Sequence, residues 1–402
     1  MSRTMAPVDE QLRVLMSGVD YGDEQLRERF SSELKGLLEQ DRPLKVYLGI
    51  DPTATSLTLG HTVPLRKLRQ FQEFGHHTVL LIGDMTALVG DPSDKNALRP
   101  KLTQEEIQAN EATYFEQAAV ILDAGKTELR HNSEWLGKLD FAEILDLLSK
   151  FTVAEMLRRD NFRKRFDAGD AIYLHEFLYA LMQGYDAYAL ECDVQVGGTE
   201  QLFNLMAGRK IQEDAGQKPH VPVTMPILVG LDGKERMSKS KGNHIGVHDA
   251  PEEQYGKVMS LPDEVLGDFY TLATNVDRGE VEGIIAGLGD GSRNPMEQKK
   301  HLARTIVTEL HGDAAGSAAE EHFERTVQRK ETPDDMPEWN LPEGAALLDV
   351  IVDGGLASSR REARRLVEQG AVSLDGEVAN LDTAPGKGAV LQVGKRRWLR
   401  LV

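Results

Sequence analysis

KVYLGID, Lys45 to Asp51, and HTVLLIGDMT, His77 to Thr86, are the two stretches on which the fold turns. The first reads as a strand running into a turn at Asp51-Pro52. A helical pattern then begins at about Gly60 and ends near Gly75. The second is nearly all apolar in its middle, as a strand buried on both faces must be. Strand, helix and strand in succession predict a βαβ unit and hence a parallel sheet.

Working outward, TELRHNS (127–133), ECDVQVGG (191–198) and VPVTMPIL (221–228) are further strand candidates with helical stretches between them. Thr103 and Glu106 make a capping box that opens one of those helices. Residues 1–246 are therefore expected to form a Rossmann-type, doubly wound α/β domain. Ligands in such sheets lie at the carboxyl ends of the strands, so the turn after 45–51 and the loop after 77–86 are the places to look.

Residues 247–330 read as all helix, with Asn294-Pro295 opening one helix and Gly312 closing it. ETPDDMPEWNLPEG (331–344) carries three prolines and several acids, a linker signal. Residues 345–402 form a small α+β module. Ser359 and Glu362 cap SRREARRLVEQG, Gly370 stops that helix, and a strand turns at Asp375-Gly376 before LQVGKRRWLRLV.

The 402 residues hold one cysteine, Cys192, so no internal disulfide forms and a reducing, cytoplasmic setting is expected. No apolar run is long enough for a transmembrane helix, and the first residues lack the apolar stretch of a secretory signal. The net charge is -18, which excludes a basic nucleic-acid binder taken whole. Residues 341–402 carry nine Arg/Lys against eight Asp/Glu, +1, so the rest carries -19. A polyanionic partner must therefore meet local basic patches.

Three constellations carry chemistry. In DPTATSLTLGHTVPLRKL (51–68) a strand ends and a helix begins close to Gly60-His61. The open N–H groups and positive dipole end of such a helix suit a phosphate, and His61 can donate to one. The other reading is an ordinary strand–turn–helix with an exposed histidine. In KERMSKSKGN (234–243), Arg236, Lys239 and Lys241 stand beside Ser238 and Ser240: either a polyphosphate clamp or a solvated basic loop. In HEFLYALMQGYDAYAL, Tyr179, Gln183 and Asp186 fall at i, i+4 and i+7, on one helix face. That face can receive an amino acid, with Tyr179 and Gln183 toward the ammonium and Asp186 toward a side-chain donor. It can equally be a helix with chance polar residues on its buried side.

TLGH (58–61) and RMSKS (236–240) together resemble the paired HIGH and KMSKS signatures of class I aminoacyl-tRNA synthetases. With Tyr47-x-Gly49-x-Asp51-Pro52-Thr53, Thr86-x4-Asp91, Tyr179-x3-Gln183-x2-Asp186 and the run Gln195 to Gln201, nearly the whole chain is similar to the bacterial tyrosyl-tRNA synthetase family. The last module resembles an RNA-binding fold shared with a ribosomal protein. Tryptophanyl relatives typically lack it, which favours tyrosine.

The resemblance implies roles. Tyr47 and Asp186 hold the substrate phenol; Asp91, Tyr179 and Gln183 hold its ammonium, with Thr86 and Gln195 nearby. Gly49, Asp51, Gly60, His61, Gly198, Glu200, Gln201, Val229 and Lys239 line the ATP or adenylate site. Thr53, Thr58, His61, Lys95, Arg99, Arg236 and Lys239 serve the phosphates. Arg360, Arg361, Arg364, Arg365, Arg396 and Arg397 are the candidate RNA contacts of the last module. The sequence departs from the family pattern at Thr58, in place of the first histidine of HIGH, at Glu200, where aspartate is common, and at Asp94, where glycine is usual.

The implied reaction joins L-tyrosine to ATP, releases pyrophosphate, and passes tyrosine to the 3′ end of tRNA(Tyr). Magnesium accompanies ATP, no protein-held structural metal is expected, and a homodimer without membrane attachment is implied. Domains are expected at 1–246 (catalytic), 247–330 (helical, anticodon-binding), 331–344 (linker) and 345–402 (RNA-binding). RRDNFRKRF (158–166) either meets the tRNA acceptor stem or is a solvated helix face. His244 and His248 lack a third metal ligand and are read as structural. Two competing functions are a small-molecule nucleotidyltransferase with a HIGH-like turn and a non-catalytic RNA binder on a synthetase scaffold.

Overall fold

The computed structural model describes residues 5–52, 56–93, 103–328, 336–342, 344–394 and 397–402. Five strands form the parallel sheet: β1 (Lys45–Ile50), β2 (His77–Ile82), β3 (Thr127–His131), β4 (Val194–Gly198) and β5 (Val221–Met225), in the order β3-β2-β1-β4-β5. Tyr47 on β1 sits in register with Val79 on one side and Gln195 on the other. The chain runs outward from β1 in one direction, then returns to build the other half, so a switch point falls between β1 and β4. The apolar run at 77–86 is a strand only as far as Ile82; Gly83 turns the chain.

The helices that follow the chain through this sheet are α1 (Val8–Leu15), α2 (Glu24–Leu38), α3 (Leu59–Glu73), α4 (Thr86–Val89), α5 (Gln104–Ala118), α6 (Ser133–Leu136), α7 (Phe141–Ser149), α8 (Val153–Met156), α9 (Asp160–Ala168), α10 (Leu174–Leu190) and α11 (Leu202–Asp214). The Thr103–Glu106 box caps α5 in both directions. α10 and α11 approach closely because glycines face each other. A Cβ on Gly184 would stand 2.8 Å from Ile211 and 3.0 Å from the Gly208 nitrogen.

Past the sheet come α12 (Pro251–Met259), α13 (Leu266–Ala273), α14 (Arg278–Gly289), α15 (Pro295–His311) and α16 (Asp313–Phe323), with no strand among the described residues of 247–328. Asn294 caps α15 by accepting from the Met296 N–H at 2.8 Å, and Gly312 ends it at φ 91°. By packing, the chain divides into two compact units, residues 1–249 with 260–302 and residues 250–259 with 303–402.

The C-terminal module has its own sheet: β6 (Glu338–Trp339), β7 (Val372–Leu374), β8 (Glu377–Val378), β9 (Val390–Val393) and β10 (Arg397–Leu401), ordered β6-β10-β9-β7-β8. Two helices, α17 (Leu347–Asp353) and α18 (Arg360–Glu368), cover it. Asp375 and Gly376 both take positive φ, 52° and 84°, the type I′ turn that matches hairpin twist. β6 lies inside the stretch that reads as a linker. Its pairing with β10 and the packing of Trp339 on the module core make that end of the linker part of the module.

Candidate active site

A cleft of about 190 Å³ opens where β1 and β4 end, at the N-terminus of α3 and beside α10. Gly49, Asp51, Thr58, Gly60, His61, Thr86, Asp91, Tyr179, Gln183, Asp186, Gly198, Glu200, Gln201 and Arg236 all line it. Residues separated by most of the sheet domain in sequence thus share one cavity.

At its floor, the Asp51 carboxylate that ends β1 accepts from the Thr86 hydroxyl at 2.7 Å and from the Tyr179 hydroxyl at 2.9 Å. Gly83 makes this possible. A Cβ there would lie 2.1 Å from Asp51 Oδ1 and 2.3 Å from Thr86 Oγ1. No other residue fits without moving that pair.

Asp186 occupies the deep end and is buried. Burial pushes its pKa well up, while hydrogen bonds from Trp135 and Asn132 pull it down. The Trp135 indole N–H donates to Oδ1 at 2.7 Å and the Asn132 amide to Oδ2 at 3.3 Å. Tyr47 is fully buried in the same core, its hydroxyl 3.5 Å from the Gln183 carbonyl, and burial raises its pKa well above the ordinary value.

Between floor and rim, Asp91 accepts from the Ser93 N–H at 2.8 Å and from Arg159 at 3.3 Å, and Gln201 lies 3.4 Å away. Arg159 is buried between Phe162 and Phe203. Asn204 donates to the Gln183 side-chain oxygen at 2.8 Å. Gln195 Oε1 and Glu200 Oε2 are buried acceptors with no hydrogen-bond partner among the described residues. Burial raises the Glu200 pKa, chiefly by desolvation. Acceptors left so are expensive unless a ligand supplies donors.

At the rim, Thr58 and His61 form the capping box of α3. His61 Nδ1 accepts from the Thr58 N–H at 3.1 Å, with the Thr58 hydroxyl at 2.9 Å. In the neutral ring this puts the proton on Nε2. Thr58 itself is buried, at 2% exposure. The RMSKS segment is carried on a hairpin: Val229 and Arg236 form a β-bridge, and Gly230 donates to the Glu235 carbonyl at 2.7 Å. Burial lowers the pKa of Arg236, partly offset by Asp91. Lys239 does not line the cleft; its ammonium donates to the Ser56 carbonyl and hydroxyl.

Thr53, Asp94, Lys95, Arg99 and Arg396 lie outside the described residues. Arg360, Arg361, Arg364 and Arg365 are exposed on α18, Arg360 paired with Asp349 at 3.0 Å, and Arg397, exposed on β10, donates to the Leu356 carbonyl. Of the 158–166 cluster, Arg159 and Arg165 are buried, Arg165 against Glu176, and Arg163 pairs with Asp167 at 3.0 Å. Each of those three pairs with an acid, Arg159 with Asp91. Among the described residues no group of three His, Cys, Asp or Glu could hold a metal, and no helix is long and apolar enough to cross a membrane.

Trp135, Asn132, Gly83 and Asn204 escaped the sequence reading, and Arg159, read there within the basic cluster 158–166, instead lies buried against Asp91. The first two follow β3 directly, at the carboxyl end of a strand, which was a signal of position.

A family model described as tRNA synthetases class I (W and Y) matches residues 39–328, and one for the S4 domain matches 347–390. The chain belongs to the class I tRNA synthetases. It is 49% identical over 398 residues to the tyrosine–tRNA ligase of Moorella thermoacetica, covering 98% of this chain and 96% of that one. It is 47% identical over 413 residues to that of Symbiobacterium thermophilum, covering 100% of each. Within the class it therefore falls among the tyrosine–tRNA ligases, which sets aside the nucleotidyltransferase and non-catalytic readings.

The fold is similar to two solved structures. One is a C-terminally truncated mitochondrial tyrosyl-tRNA synthetase of Aspergillus nidulans (TM-score 0.62, 25% identity, 80% of this chain and 93% of that one). The other is the Archaeoglobus fulgidus tyrosyl-tRNA synthetase complexed with L-tyrosine (TM-score 0.61, 25% identity, 78% and 100%).

Proposed function

We propose that this cleft activates L-tyrosine with ATP and passes it to tRNA(Tyr). The observation that carries the assignment of roles is that one cavity holds a buried carboxylate at one end and a helix N-terminus with His61 and Arg236 at the other. In this reading Asp186 and Tyr47 take the phenol hydroxyl. Asp91, Tyr179 and Gln183 take the ammonium, with Thr86 and the unpaired Gln195 oxygen beside it. Gly49, Asp51, Gly60, Gly198, Glu200, Gln201 and Val229 border the nucleotide, and the orphaned Glu200 oxygen awaits a ribose hydroxyl.

The tyrosine carboxylate is ionised at neutral pH and attacks the α-phosphorus of ATP without a general base; pyrophosphate leaves. The site's task is to position the two substrates and to stabilise charge on the phosphorus oxygens. His61 Nε2–H, the α3 N-terminal amides and Arg236 are placed for this; the family resemblance adds Thr58 and, outside the described residues, Thr53, Lys95 and Arg99. Lys239 exchanges Ser56 for phosphate oxygens. Magnesium enters as the counter-ion of ATP.

The division into 1–246, 247–330, 331–344 and 345–402 stands as a proposal of function. In it the helical region reads the anticodon side and the exposed arginines of α18, with Arg396 and Arg397, grip another part of the tRNA. We place the enzyme in the cytoplasm, on its single cysteine. A homodimer is supported by exposed apolar side chains: Phe141 and Leu145, one turn apart on α7, are 74% and 51% exposed, and, separately, Leu174 at the start of α10 is 83% exposed.

The test is tyrosine-dependent pyrophosphate exchange into ATP. Asp186→Ala should abolish the preference for tyrosine, since a site built for a hydroxyl rejects the analogue without one. Tyrosyl-tRNA synthetases are themselves the standard example of that rule, at about 10⁵-fold against phenylalanine, a figure borrowed from it. A variant that still discriminates as before would sink the phenol assignment.

A further inference from the structure

Beyond the residues that line the cleft, a chain of contacts runs from the sheet edge to Asp186. Arg130, at the end of edge strand β3, holds its guanidinium over the Trp135 ring, 5.4 Å from the centroid. Two acids fix it there: Glu134 accepts from Nε and Nη2 at 2.6–3.1 Å, and Glu128 accepts from Nη1 at 3.1 Å. Trp135 in turn gives its N–H to Asp186 at 2.7 Å. None of these three charged residues touches the cleft.

We propose that Arg130 is a positioning residue for tyrosine selection: clamped over Trp135, it holds the ring in place and strengthens the indole N–H that keeps Asp186 a hydrogen-bond acceptor. The inference rests on the reading of Asp186 as the phenol partner. A cation over an indole face draws electron density upward, which makes the ring N–H a better donor. Asp186 needs such help. Tyr47 from β1, Asp51 from the turn after β1 and Asp84 from the turn after β2 surround it, and neither carboxylate favours a third negative charge. Among the described residues, Trp135 and Asn132 act in the opposite direction. Glu134 and Glu128 spend the guanidinium's hydrogen bonds in the plane of the fork, so its face is what remains for the ring.

The experiment is steady-state pyrophosphate exchange with tyrosine and with phenylalanine, across acid to mildly alkaline pH, for the wild type, Arg130→Met, Arg130→Lys and Glu134→Gln. Arg130→Met should raise KM for tyrosine about two- to fivefold, the size of a partly exposed cation–π contact. KM for ATP and kcat at saturating tyrosine should hold. The acid limb of kcat/KM for tyrosine should move to higher pH, because Asp186 protonates earlier, while the phenylalanine profile stays in place. Arg130→Lys, which keeps the charge, should recover most of the limb, and Glu134→Gln should fall between. Coincident pH profiles for Arg130→Met and wild type overturn the proposal, as do equal losses for tyrosine and phenylalanine, which indicate a merely structural arginine. Asp186→Asn run alongside separates the two levels: if it still prefers tyrosine, the phenol reading has failed, whatever Arg130 does.

Discussion

Single atoms decide the floor of the cleft. Gly83 is the sharpest case, because a methyl group there would overlap Asp51 Oδ1 at 2.1 Å. Gly83→Ala should destabilise the protein by about 1–3 kcal/mol, the range for overpacking. It should also raise KM for tyrosine at least about tenfold, since losing about 1.4 kcal/mol of orientation is a factor of ten. Thermal melts and pyrophosphate exchange check both parts. Thr58 is instructive in another way. It stands where the family pattern has the first histidine of HIGH. Folded, it is buried and caps α3 while fixing the orientation of His61, a local job that threonine does well.

At the scale of elements, two buried histidines pin the sheet to its neighbours. His76 Nδ1 accepts from the Leu44 N–H at 3.2 Å and Nε2 meets Gln11 Oε1 at 3.0 Å, which ties α1 to the start of β1. Burial lowers its pKa from 6.5 to about 4, and that of His220 to about 3. Both folded values lie below the unfolded one, so the unfolded chain binds the extra protons. The associated stability is complete above pH 6.5 and is lost as pH falls from there toward about 4 for His76. The slope is about 1.4 kcal/mol per pH unit per histidine. His76→Asn keeps an acceptor for Leu44 but cannot titrate. Its denaturant midpoint should decline less steeply over that window than the wild type's, and parallel curves would refute the account.

For the whole molecule, the surface carries the prediction. Leu174→Asp with Phe141→Asp places charges at two exposed apolar positions, one on α7 and one on α10, without touching a core residue. Sedimentation should show a shift from dimer to monomer at micromolar concentration, with the melting profile of the subunit little changed. A wild-type monomer at the same concentration would remove the dimer from the proposal.

What could be read in advance follows periodicity. The strands within 45–51 and 77–86, the glycines and caps that end helices, the Asp375-Gly376 hairpin and the single face of Tyr179, Gln183 and Asp186 are written in local spacing, because strand and helix repeats depend only on near neighbours. The linker strand β6 was hidden for the converse reason: a two-residue strand has no repeat, and only its partner β10 makes it one.

The sequence by itself determined the parallel sheet, the helical region, the terminal module and the two ends of the cleft. Only the tertiary structure decided that Trp135 and Asn132 hold Asp186, that Arg159 and Arg165 turn inward from a basic-looking cluster, and that Gly83 must be bare. Those are distances between residues far apart in the chain. They are set by how the strands pack side by side, and no local pattern encodes them.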